Sequence, residues 1–203
     1  RPRARAEGEA RGAGRRAGRP ERVAGSAVVG EIGAWAAHRA RRVAVRTATK
    51  NQLLGQLDRA FPGLTAALPD VLGTKIGRLI AAEFADPARL TAMGVNRLIR
   101  FAAARDVQLR RPVAERLVTA AHEALSTADA AIVLRVPSHS LARRVLAADV
   151  ALLADLDTQI AAAEAELAVL VPRSPFSTLT SVPGWGVIRI ANYAAALGDP
   201  SRW

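Results

Sequence analysis

An all-α fold is predicted for this chain on three observations. Half of the residues are apolar but only 4% are aromatic, so the core must be built from alanine and leucine, side chains that favour helix. Prolines and Pro-Gly pairs divide the sequence into stretches whose apolar residues recur every three or four positions rather than alternately. One stretch, Ser138 to Leu170, keeps such a stripe along its whole length. The expected architecture is a series of helical segments that includes a long coiled-coil helix, begins with a disordered basic tail and ends in a helix-hairpin-helix-like element.

Residues 1–30 mix arginine, alanine, glycine and proline, with no large apolar side chain before Val23. Such a segment cannot bury enough surface to offset its ordering entropy, which predicts a disordered tail. A nucleic-acid-binding arm and translation from a displaced reading frame are the alternatives. Residues 31–62 follow as one long helix: Trp35, Val43, Leu53, Leu54, Leu57 and Phe61 form its stripe, and Pro62-Gly63 stops it.

Residues 63–136 are expected to form short helices. Gly73 or Thr74 opens the apolar segment Ile76 to Phe84, and Asp86 before Pro87 is an N-cap with proline at the first helical position. That helix should break near Gly94, with Leu98, Ile99 and Phe101 continuing the pattern. Another starts at Arg111 or Pro112 and buries Leu117, Val118, Ala121 and Leu125.

The coiled-coil helix occupies residues 137–172, with Ser138 as its N-cap and Pro172 at its end. Its expected stripe is Leu141, Val145, Ala148, Leu152, Leu156, Ile160, Ala163, Leu167 and Leu170. Asp149, Asp155, Asp157, Glu164 and Glu166 are read as a solvated face. The four-residue steps at Leu152, Leu156 and Ile160 interrupt a strict heptad. So long a helix needs a partner, either elsewhere in the chain or on a second subunit, and a homo-oligomer held through it is the expected assembly.

The formal net charge is +11, but residues 1–50 hold thirteen basic residues against four acidic ones, and residues 51–203 hold sixteen against fourteen. Most of the excess therefore lies near the start, and net charge alone is weak evidence for a nucleic-acid surface in the folded part. There is no cysteine, which excludes disulfides, thiolate metal sites and cysteine nucleophiles and suits a reducing cytoplasm. No apolar run is long enough to cross a bilayer, so no membrane partner is expected. The chain starts at Arg1 and its one methionine is Met93, so a fragment of a longer protein is expected.

Residues 173–203 contain the motif that carries chemistry. Leu179 to Gly198 reads hydrophobic-x-x-hydrophobic-Pro-Gly-x-Gly followed by a helix whose inner face is Ile190, Ala191, Ala194 and Leu197. This resembles a helix-hairpin-helix element, a grip on the DNA backbone. Pro183, Gly184, Trp185, Gly186, Val187 and Arg189 are its candidate DNA-binding residues. Gly184 and Gly186 permit a tight turn or a close backbone approach. The free amides of the following helix, at the positive end of its dipole, suit one phosphate oxygen, and such contacts hold the backbone without reading bases. Arg189 adds a salt-sensitive contact. Trp185 stands where related motifs carry a smaller aliphatic residue, and it either caps the small core or stacks on a sugar.

No catalytic or metal-binding residues are assigned. His38, His122 and His139 lack the short spacing of a helical metal site, and Ser138-His139-Ser140 is read as a helix start rather than a catalytic pair. No phosphate-cradling loop of Walker type occurs.

Taken together, three stretches resemble the insertion-sequence-110 transposases, the 110/116/902 group. They are Arg42 to Leu57, with its arginine-rich start; Leu146 to Leu167, with its Asp155-Leu-Asp-Thr-Gln-Ile core; and Leu179 to Trp203, similar to the family's L-x-S-x-P-G-x-G…A-x-x-x-x-A-x-x-G-D-x-x-R-F, with Trp203 in place of the usual phenylalanine. The resemblance covers residues 40–203. It implies a bacterial, cytoplasmic recombinase with an amino-terminal RNase-H-like lobe whose four acidic residues bind metal, a coiled-coil region for assembly, and a carboxyl-terminal lobe with a serine nucleophile. Residues 31–62 would be the end of the first lobe and 173–203 the start of the last. DNA is the implied partner and Mg2+ the implied cofactor of the intact enzyme, with none expected in this fragment; some members are directed by a structured guide RNA.

Neither chemical centre maps onto this chain, because no residues before Arg42 match the acidic lobe and the serine would lie beyond Trp203. The expected function is therefore part of a transposase that catalyses DNA transposition when complete. A non-enzymatic helical DNA-binding module, or an inactive transposase remnant, is the alternative, and a purely structural coiled-coil oligomer is a third.

Overall fold

The computed structural model describes residues 18–127 and 139–200, with side chains for 27–127 and 143–200. The fold is all-α, with no strand among the described residues. In chain order the helices are α1 (Gly18–Ala60), α2 (Leu64–Ala67), α3 (Lys75–Glu83), α4 (Pro87–Ala103), α5 (Arg111–Thr127), α6 (His139–Leu170) and α7 (Val187–Leu197), with 3-10 turns at Val171–Arg173 and Ser177–Ser181. No helix among the described residues is long and apolar enough to cross a membrane. The chain divides into two compact units, residues 45–157 and residues 1–44 with 158–203.

In the unit formed by residues 45–157, α1 ends where Pro62 cannot continue it and Gly63 turns with φ +86°. Leu53, Leu57 and Phe61 of this end are fully buried with Leu64, Ile80, Phe84, Leu90, Leu98 and Leu117. The short helices each contribute to this shared core, and α3 and α4 are also capped by side chains. Thr74 caps α3 by accepting from the amide of Gly77, and Asp86 caps α4 by accepting from that of Ala88, with Pro87 in the first turn. Helix α4 breaks at Gly94, whose φ of 68° and ψ of 166° lie in a region essentially reserved for glycine. It ends in a Schellman motif, Asp106 donating to Ala103 and Val107 to Ala102, with Asp106 at φ +55° in the place glycine usually takes. Helix α5 buries Ala114, Leu117, Ala120, Ala121 and Ala124. Leu125, expected in that stripe, is instead 38% exposed.

Charge ties three helices of this unit together. Asp157 of α6 accepts from Arg46 of α1 and from Nη2 of Arg78 of α3, the latter at 2.5 Å. Nε of Arg78 also donates to the Leu72 carbonyl at 2.7 Å. Burial raises the Asp157 pKa, but the hydrogen bonds and charges of Arg78 and Arg46 outweigh that and hold its carboxyl below the ordinary value of 3.8. Asp157 is therefore a cross-link, not part of a solvated face.

In the other unit, Val29, Ile32 and Ala36 of α1 form a core with Leu167 and Leu170 of α6, Val171, Phe176, and Ile190, Ala191 and Ala194 of α7. Arg39 of α1 donates to Glu164 of α6 at 2.7 Å. Ser174, the one polar residue in this core among those described, donates to the Val171 carbonyl and accepts from the Phe176 amide.

One boundary and one stripe differ from expectation. Residues 18–30, expected in the tail, belong to α1, because Val28 and Val29 pack in this core with Ile32; the rest of the tail expectation, residues 1–17, lies outside the described residues. So do Ser138, the expected N-cap, and the side chain of Leu141. The stripe of α6 is also shifted in its first half. Leu146, Val150 and Leu153 are buried, whereas Val145 and Leu152 are 46% and 44% exposed and Ala148 is exposed. From Leu153 the inward positions run Leu156, Ile160, Ala163, Leu167 and Leu170, alternating steps of three and four. Across Val150, Leu153 and Leu156, two successive steps of three interrupt a strict heptad, as expected though at a different point, and in each unit α6 buries its stripe in a core shared with α1 of the same chain.

Candidate nucleic-acid interface

The segment before α7 is held from below by Ser174 and by the 3-10 turn Ser177–Ser181, which Leu179 anchors to the core. The chain then reverses at Val182–Trp185. The Trp185 amide donates to the Val182 carbonyl at 3.1 Å, Pro183 occupies the second position, and Gly184 the third with φ +79°. This is a type II turn, whose third position demands positive φ and whose second favours proline. Gly184 is therefore required by the conformation.

Gly186 is required by nothing inside the chain. It is the N-cap of α7 with ordinary extended angles, φ −78° and ψ 164°, and a Cβ built on it meets no atom within 4 Å. Its carbonyl accepts from the amides of Arg189 and Ile190. With no side chain to cap the helix, the first-turn amides of Val187 and Ile188 have no intrahelical acceptor, and the dipole brings positive potential to the same end. The surface of Gly186 is open, so an external oxygen can approach the backbone there as closely as glycine permits.

Side chains build the surround. Trp185 is half-buried, edge-on to Tyr193 at 5.4 Å, and Tyr193 stands edge-on to Phe176 at 5.9 Å. Trp185 packs against the small core, the first of its two expected roles. Nη1 of Arg189 reaches back to the Gly184 carbonyl at 2.8 Å. Arg189 thus braces the turn while its side chain stays exposed.

The six residues expected in the site therefore lie along one short stretch. Pro183, Gly184, Gly186 and Arg189 are exposed, and Trp185 and Val187 are half-buried against the core. Two expected supports differ. Val182 is 40% exposed, and Leu197 is 38% exposed rather than on the inner face of α7, where Ile190, Ala191 and Ala194 are fully buried. Proline and glycine spacing made the turn legible; the backbone bracing by Arg189 was not, because nothing local marks a side chain that folds back five residues. Among the described residues no three histidine or acidic side chains come together as metal ligands. No protein-family model, curated protein or solved structure matches this chain.

Proposed function

We propose that Val182–Arg189 is a grip on the DNA backbone, within a chain that serves a cytoplasmic DNA-cutting and rejoining enzyme of the kind the insertion-sequence-110 resemblance implies. The observation that carries the proposal is Gly186: a glycine whose angles any residue adopts and around which a Cβ finds open space, placed where uncapped amides meet a helix dipole. A phosphate oxygen is a suitable acceptor for those amides. The turn braced by Arg189 keeps the donors in place before DNA arrives. The absence of cysteine suits the compartment.

The test separates this role from a structural one. Gly186→Val in the intact chain should leave the circular-dichroism helix signal unchanged while weakening duplex-DNA binding about tenfold or more, since hydrogen bonds to a charged group are worth roughly 1.5–3 kcal/mol. Equal affinity for the two proteins across a salt series removes the grip. The enzymatic part is checked by reading the coding DNA on either side. Upstream spaced carboxylates and a downstream serine within an arginine-rich stretch are expected, and stop codons flanking a normal start would overturn it.

A further inference from the structure

Residues 95–118 hold six arginines, Arg97, Arg100, Arg105, Arg110, Arg111 and Arg116, against two carboxylates, Asp106 and Glu115; the rest of 45–157 balances at nine of each sign. The charge excess of that unit is therefore confined to the second half of α4 and the start of α5. The two helices pack on one another, and Nη2 of Arg111 donates to Oδ1 of Asn96 at 2.8 Å, which sets the start of α5 beside the beginning of the second half of α4. Arg100 lies one helical turn from Asn96 on the solvent side, opposite buried Leu98 and Ala102. Arg97 flanks Asn96, and Arg110 precedes Arg111; all four arginines are exposed.

Elsewhere in this unit five basic side chains face carboxylates, Arg46 and Arg78 on Asp157, Lys50 on Asp70, and Arg89 and Arg143 on Glu83, while Arg59, Lys75 and Arg144 are scattered and have no ion pair among the described residues. Arg111 meets Glu115 at 3.7 Å, both side chains being more than half exposed. Arg97, Arg100 and Arg110 have no ion pair among the described residues. The α5 terminus runs against the usual rule, with Arg110 just before it, Arg111 in its first turn and no acidic residue there, where the helix dipole already brings positive charge. Local conflicts of that kind gather where an external partner offsets them.

We infer that Arg97, Arg100, Arg110 and Arg111 form a second nucleic-acid contact, a surface for the phosphate backbone of a duplex, separate in chain and unit from the turn at Gly186. Arginine suits it, being always charged and shaped for two-pronged contact with phosphate oxygens. The inference does not depend on the grip at Gly186, and the two are tested apart.

The experiment uses the full chain and a short DNA duplex over a range of salt. The triple variant Arg97→Gln, Arg100→Gln, Arg110→Gln should bind more weakly and lower the slope of log affinity against log salt by about two to three, at about 0.9 per lost phosphate contact. A control triple with the same change in net charge, Arg41→Gln, Arg59→Gln, Arg144→Gln, all at exposed positions, should change the slope by less than one such contact. Circular dichroism checks that both stay helical. The patch loses its role if the two triples behave alike or if the first leaves the slope unaltered. It is equally overturned if the first triple spares duplex binding but abolishes binding of polyglutamate or self-association, since the partner is then an acidic protein surface or a second copy. A loss with the first triple but not with Gly186→Val keeps the patch and discards the grip, and the reverse result does the opposite.

Discussion

A methyl group added at Gly77 has nowhere to go. Its Cβ would lie 1.9 Å from the Val71 carbonyl oxygen, a backbone atom that cannot swing aside. On an open helix surface Gly→Ala stabilises by about 1 kcal/mol; here Gly77→Ala should destabilise by roughly 1–3 kcal/mol through overpacking, read as a lower urea midpoint. At Asp157 the issue is charge. Its pKa is depressed by Arg78 and Arg46 against an opposing effect of burial, so its contribution is present above the unfolded-state value and lost as pH falls through the lower, folded-state one. Asp157→Asn should therefore cost roughly 1–3 kcal/mol near neutral pH, and its urea midpoint should converge with that of the wild type as both are acidified below pH 3.8. A constant difference down to the acid limit would remove the charge argument. The pairing itself was not legible in the sequence, where Asp157 is one of several carboxylates on α6. Which one meets Arg78, far away in the chain, is decided by packing.

At the scale of elements, caps and breaks were the most readable features. Asp86-Pro87, Gly94, Arg111-Pro112 and Pro172 each mark a change that the backbone makes at or next to that point, because proline and glycine act through local sterics that need no partner. The phase of a long alanine- and leucine-rich helix is different. Leu152 and Leu153 are adjacent, so either can lead a stripe, and the choice depends on what lies opposite. Leu153 is fully buried and Leu152 44% exposed. Leu153→Ala should lower stability by roughly 2–5 kcal/mol and Leu152→Ala by no more than about 0.5 kcal/mol, measured by thermal or urea unfolding. Equal losses would contradict the stripe that α6 presents to its core. The turn at Pro183-Gly184 belongs with the readable features. The open approach at Gly186 does not, since a glycine in a sequence never says whether its missing side chain serves the fold or a visitor.

For the molecule as a whole, charge is organised more finely than its total suggests. Six of the arginines lie in residues 1–17, and the basic cluster on α4 and α5 is diluted in the chain-wide count by balanced charge elsewhere. Deleting residues 1–17 should lower overall duplex affinity and the salt slope while leaving binding that still responds to Gly186→Val, as a titration over salt can show. Complete loss of binding on deletion would assign all affinity to the tail. By itself the sequence determined the all-α class, the breaks between helices, the Pro-Gly turn and a core made mostly of alanine and leucine. These follow from propensity, sterics and composition, which act over a few neighbouring residues. Only the tertiary structure decided the phase of α6, the partners of Asp157, the start of α1 and the gathering of arginines beside Asn96. Each of these depends on which distant side chains share a core or a surface, and a one-dimensional pattern of small apolar residues leaves that choice open.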